Sequence, residues 1–130
     1  MEFTEKNRLF ISQFIETKRP FKDFPDRVSE DMTIHEPALL PFGGSYKGAK
    51  AQEKLFPKIG EFYDFSKFNL ISVSADGNAV FAIMKIGLLN SVSEIMICEK
   101  FSFEDDKLTE VRVFVYDSPD APLLIRHNEE

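Results

Sequence analysis

The chain has 130 residues, 43% hydrophobic and 29% charged, with a formal charge of -6, which is the size and balance of one globular domain built on one core. A net acidic surface excludes nucleic acid and anionic membrane as main partners, because both bind through a basic surface, and no apolar run is long enough to span a bilayer. Bulk comes from 14 phenylalanines and no tryptophan, side chains that fill a core or line a pocket without a polar atom to satisfy.

In chain order, Phe3, Phe10, Ile11, Phe14 and Ile15 recur at helical spacing and predict a first helix over residues 3–18. Pro20 ends it, and Phe21, Phe24 and Val28 suggest a shorter second helix, stopped by Ser29-Glu30-Asp31. Residues 32–36 alternate and read as a short strand running into Pro37. The Pro- and Gly-rich stretch from Pro37 to Gly48 is expected as a loop over a pocket mouth. A third helix follows from Ala49, with Leu55, Phe56, Ile59, Phe62 and Tyr63 on one side and a break expected near Phe56, because Pro57 lacks an amide donor.

The second half reads as four strands, at about 67–75, 79–89, 92–103 and 108–117, joined by hairpins at Asp76-Gly77, Asn90-Ser91 and Asp105-Asp106. Two-residue loops would set Met84 opposite Ile97, Ala82 opposite Glu99, and Glu99 opposite Arg112. One face would then hold Ile71, Ala82, Met84, Ile97, Phe101, Phe114 and Tyr116, with Glu99, Glu110 and Arg112 as polar exceptions. The other face, with Phe68, Leu70, Phe81, Ile83 and Val113, is also apolar, and so a homodimer through this outer face is expected.

Two acids stand out. Glu36 shares a strand face with Met32 and Ile34, and Glu99 lies between Ile97 and Phe101; an ionised carboxylate is costly on such a face unless it is paired. Helix one, the segment Asp31 to Pro37, the turn Gly44-Ser45-Tyr46-Lys47-Gly48 and the closing strand Val111 to Asp117 resemble a SnoaL-like member of the nuclear-transport-factor-2-like superfamily over nearly the whole chain. The resemblance implies an α+β cone, a curved antiparallel sheet wrapped around three N-terminal helices, often dimerising through the sheet. It spans isomerases, cyclases, epoxide hydrolases, dehydratases and non-catalytic binding modules, so fold alone does not fix function. In ketosteroid isomerases of this superfamily an Asp-Pro supplies the base, and Glu36-Pro37 falls at the matching place; their second acid falls on Glu99, and their oxyanion tyrosine falls on Phe14.

Other signals have plainer readings. His35 and Glu36 are adjacent on a strand and face opposite ways, and His127 is in the tail expected from residue 118, so no metal site is predicted. Gly43-Gly44 lacks Walker spacing and reads as a turn. Cys98 has no predicted histidine partner and no cysteine to pair with, and the charged start, Met1 to Lys6, carries no secretory pattern, so a cytoplasmic location is expected. Two functions stand side by side. One is a cofactor-free pocket enzyme acting by proton transfer on an apolar small molecule, with Glu36 and Glu99 catalytic and Phe14, Arg112, Phe114 and Tyr116 lining the pocket. The other is a dimeric ligand-binding or structural module with Glu36 tied up by backbone donors.

Overall fold

The computed structural model describes residues 3–48 and 50–116; Asp117, His127 and the expected tail lie outside the described residues. Helix α1 spans Thr4–Thr17 and buries Phe10 and Ile11, as the spacing predicts. It stops at Lys18, whose left-handed backbone (φ 57) closes the helix just before Pro20. The expected second helix is reduced to one 3-10 turn, Phe21–Asp23. Pro20 and Pro25 bracket it, and the residue before each proline is pushed toward extended backbone, which leaves no room for an α-helical ladder. The chain therefore extends early: β1 covers Val28–Glu36, taking in Val28 and the Ser29-Glu30-Asp31 segment expected to end a helix.

The expected loop includes a four-residue strand, since Gly44–Lys47 form β2, which pairs antiparallel with β1 through Ile34 opposite Tyr46 and Glu36 opposite Gly44. The connecting turn packs tightly. A Cβ on Gly43 would stand 2.3 Å from the Pro37 carbonyl oxygen, and the Tyr46 hydroxyl donates to the Phe42 carbonyl at 2.8 Å. Helix α2 spans Ala51–Ile59 and runs through Pro57 instead of breaking at Phe56. Pro57 sits in the last turn, where only one ladder bond is lost, and the helix ends two residues later against Gly60. Tyr63, expected on that helix, opens the next strand.

Strands β3 (Tyr63–Asp76), β4 (Ala79–Leu88), β5 (Glu94–Glu104) and β6 (Lys107–Val115) complete a six-stranded open sheet in the order β2-β1-β6-β5-β4-β3. Its neighbours are antiparallel except β1 and β6, which run parallel and correct the expectation of a wholly antiparallel sheet. Among the described residues two α-helices, not three, accompany it. A continuous core joins α1, α2 and one sheet face, with Ile11, Phe42, Leu55, Phe101 and Leu108 almost fully buried.

Two of the sheet's register shifts move side chains off the faces that simple alternation predicts. The predicted β4–β5 register is present, with Met84 opposite Ile97 and Ala82 opposite Glu99. The β5–β6 register is not: a shift between Ser102 and Phe103 sets Glu99 opposite Val113, and Arg112 opposite Lys100. One extra residue in one strand sends every later side chain to the other face. Val111 and Val113 are thus buried, whereas Phe114 and Tyr116, expected in the pocket, are 49% and 63% exposed. A second shift, between Leu70 and Ser72, leaves Ile71 exposed instead of in the core.

Helix α1 is held by polar bonds at its start. Thr4 Oγ1 donates to the Gly77 carbonyl (2.8 Å) and Asn7 Nδ2 to the Asp105 carbonyl (2.9 Å), each in a hairpin turn. Arg27 adds bonds from Nη2 to Asn7 Oδ1 (2.9 Å) and from Nε to the Asp106 carbonyl (3.0 Å), with its guanidinium 4.3 Å above the Phe10 ring. Charged and neutral hydrogen bonds to a buried amide are costly to lose singly, so this cluster fixes where α1 crosses the sheet.

Candidate functional site

Between the end of α1, helix α2 and the concave sheet face lies a cavity of about 340 Å³, within the range of small-molecule sites. Its walls are phenylalanines and aliphatic side chains: Phe14, Phe21, Leu55, Phe68, Met84 and Val113 among them. Phe14 lines it as predicted and is stacked on Phe21, ring centroids 4.2 Å apart and nearly parallel. Lys18 and Arg19, at the end of α1, border it; Arg19 is held by Asp23 at 3.1 Å and lies over the Phe24 ring.

Glu36 and Glu99 both line this cavity. Strand alternation brings each there: Glu36 follows the buried Met32 and Ile34 along β1, and Glu99 sits between the buried Ile97 and Phe101 on β5. Neither carboxylate has a hydrogen-bond donor or cation against it among the described residues. Burial alone pushes Glu99 up to about 7. Burial, and then the charge of Glu99, push Glu36 up to about 8. Glu99 therefore ionises first and its charge helps to hold the proton on Glu36, so that between the two steps the pair carries one proton.

The expected cross-strand ion pair between Glu99 and Arg112 does not exist. Arg112 stands on the convex face, where its Nε lies 3.3 Å from Glu110 Oε1, because of the bulge at Ser102 and Phe103. A guanidinium beside Glu99 would have lowered its proton affinity; its removal to the other face is what lets burial act unopposed. Phe114 and Tyr116 stand on the convex face with Arg112 and do not reach the cavity. His35 also faces outward, with Nδ1 2.7 Å from Ser45 Oγ and Nε2 3.6 Å from Glu110 Oε2.

The structure adds one polar group that the sequence reading assigned to a helix. Tyr63 lines the cavity and is only 5% exposed, and its hydroxyl is buried with no hydrogen-bond partner. Burial, then the charges of Glu36 and Glu99, raise the phenol far above its usual range, which places the hydroxyl within the field of both acids and keeps it protonated. Gly60 was the available signal: a glycine after Ile59 stops a helix, and beyond it Tyr63 and Phe65 begin a strand alternation. Among the described residues no three His, Cys, Asp or Glu side chains converge as a metal cluster, and no helix is long and apolar enough to cross a membrane.

No protein-family model matches the chain, and no curated protein matches it. Solved structures do. A nuclear-transport-factor-2-like protein from Burkholderia xenovorans LB400 superposes with a TM-score of 0.69 at 16% identity, covering 98% of both chains. One of the same description from Burkholderia thailandensis E264 gives 0.70 at 15% identity, over 96% of this chain and 93% of the other. A protein from Jannaschia sp. CCS1, named for its likeness to SnoaL polyketide cyclases, gives 0.70 at 11% identity, over 96% and 94%. The chain thus has the nuclear-transport-factor-2-like fold.

Proposed function

We propose that the cavity binds an apolar small molecule and that Glu36 and Glu99 move protons on it without a cofactor, Glu99, the first to ionise, starting as acceptor and Glu36, which keeps the shared proton, as donor, roles that interchange as the proton moves. The observation that supports this is a pair of unpaired carboxyl groups in one apolar cavity, both with proton affinities near neutrality. A carboxylate in that condition is basic enough to take a proton next to a carbonyl and still acidic enough to return one, the match that general acid–base catalysis requires. Tyr63 offers a phenol hydrogen to the oxygen on which charge would develop.

The test is the conversion of β,γ-unsaturated cyclohexenones to their conjugated isomers, followed by near-ultraviolet absorbance. In each turnover one proton leaves the α-carbon and one is added at the γ-carbon. Glu36→Gln should slow the reaction by about a hundredfold or more, and the wild-type rate should peak between the two ionisations, at about 7 and about 8. An unchanged rate in that variant would remove Glu36 from the mechanism, and ligand binding without turnover would favour a binding module. The same reading holds a homodimer through the convex sheet face, supported by the exposure there of Phe114 and Tyr116 beside Ile83 and Met96, and a cytoplasmic location, supported by a lone cysteine.

A further inference from the structure

Of the four oxygen-bearing side chains that line the cavity, Gln52 is occupied by the Phe21 N–H, and the other three lie within one another's field with no cation against them. Glu36 comes from β1, Glu99 from β5 and Tyr63 from β3. Tyr63 is nineteen-twentieths buried and its hydroxyl has no partner, so the cluster is not merely a solvated acidic patch. Arg112, the cation expected to face Glu99, is on the convex side. Lys18 and Arg19 border the cavity from the end of α1, where both are exposed and solvent screens them. The cavity's walls include the aromatic side chains of Phe65, Phe68 and Phe101, and aromatic faces attract cations.

We propose that the ligand is an apolar amine bound as its ammonium ion, one N–H directed to each of Glu36, Glu99 and the Tyr63 phenol oxygen, with its hydrocarbon part against the phenylalanines. The proposal rests on the reading of this cavity as a ligand site and names a class of molecule that would occupy both carboxylates there and so compete with a proton-transfer substrate. A bound ammonium supplies the counter-charge that the protein withholds, and charge-assisted hydrogen bonds are the strong ones. It also favours the ionised carboxylates, so the proton that the pair carries near neutrality is released to solvent on binding.

The experiment is calorimetric titration of the full chain with phenethylamine, phenethyl alcohol and phenylacetone near neutral pH, in two buffers of different ionisation enthalpy. The amine should bind at least about tenfold more tightly than the alcohol, the equivalent of about one charge-assisted hydrogen bond, and the buffer dependence should show net proton release. In the double variant Glu36→Gln/Glu99→Gln, checked for a native melting transition, both the preference and the proton release should vanish. Tyr63→Phe should reduce the preference while keeping the proton release. Equal or tighter binding of the alcohol or ketone would overturn the amine assignment and leave the proton-transfer site standing. An amine preference that survives in the double variant would overturn it also. Absence of binding by all three probes would sink both the assignment and the ligand-site reading.

Discussion

Removing the two carboxyl groups should change how stability depends on pH, and the sign follows from their surroundings. Both ordinarily titrate near 4.5, and in the fold Glu99 is raised to about 7 and Glu36 to about 8. Between the unfolded and folded values the native state holds more protons than the unfolded chain, so stability is greatest below about 4.5 for these groups and falls as pH climbs toward 8. Each group at full difference contributes a slope of about 1.4 kcal/mol per pH unit. Water in the open cavity screens the charges, and with roughly half the slope retained the pair costs about 3 kcal/mol between about pH 5 and about pH 8. In a domain of this size that is a fall in Tm of roughly 10 °C. Thermal unfolding followed by circular dichroism should show it in the wild type, whereas Glu36→Gln/Glu99→Gln should lose most of it and melt higher at the alkaline end. Parallel pH profiles for the two proteins would refute the placement of the acids in a shared apolar cavity.

Two further outcomes can be checked directly. Tyr63→Phe removes a buried hydroxyl that has no protein partner, so it should leave stability unchanged or raise it by about 1 kcal/mol in chemical denaturation, where loss of a satisfied hydroxyl would lower it. Phe114→Glu places a charge on the convex face; it should shift the sedimentation coefficient from dimer to monomer with the melting curve little altered, and a wild-type protein that sediments as a monomer at all concentrations would end the dimer proposal.

The fold was legible where the sequence carries long periods or short turns. Helix α1, the β4–β5 register and the inward direction of Glu36 and Glu99 all follow from spacing and alternation, because a buried face selects one register. The errors of strand face share a cause: backbone irregularity that side-chain pattern does not record. A hairpin closing at Asp105-Asp106 predicts Glu99 opposite Arg112 by counting, and the bulge at Ser102 and Phe103 moves the count by one. Val111, Val113 and Val115 read equally well as either face beside Phe114 and Tyr116, since the strand is apolar on both sides. The second helix failed because three apolar residues at helical spacing cannot outweigh prolines at 20 and 25. Strand β2 was missed because its four residues have neither length nor alternation, and it exists through its partner β1.

The two ends of α1 are secured by different kinds of force, and this sets what the cavity can accept. Directional polar contacts clamp the helix near Thr4 and Asn7, whereas its last turns rest on Phe14 against Phe21 and Phe24, contacts with no preferred direction and no donor to orphan. A bulkier guest would press on these rings before it disturbed the acids, which are anchored to paired strands. On the proposed ligand reading, guests of differing girth would share one polar end, with selectivity set by the head group more than by the outline.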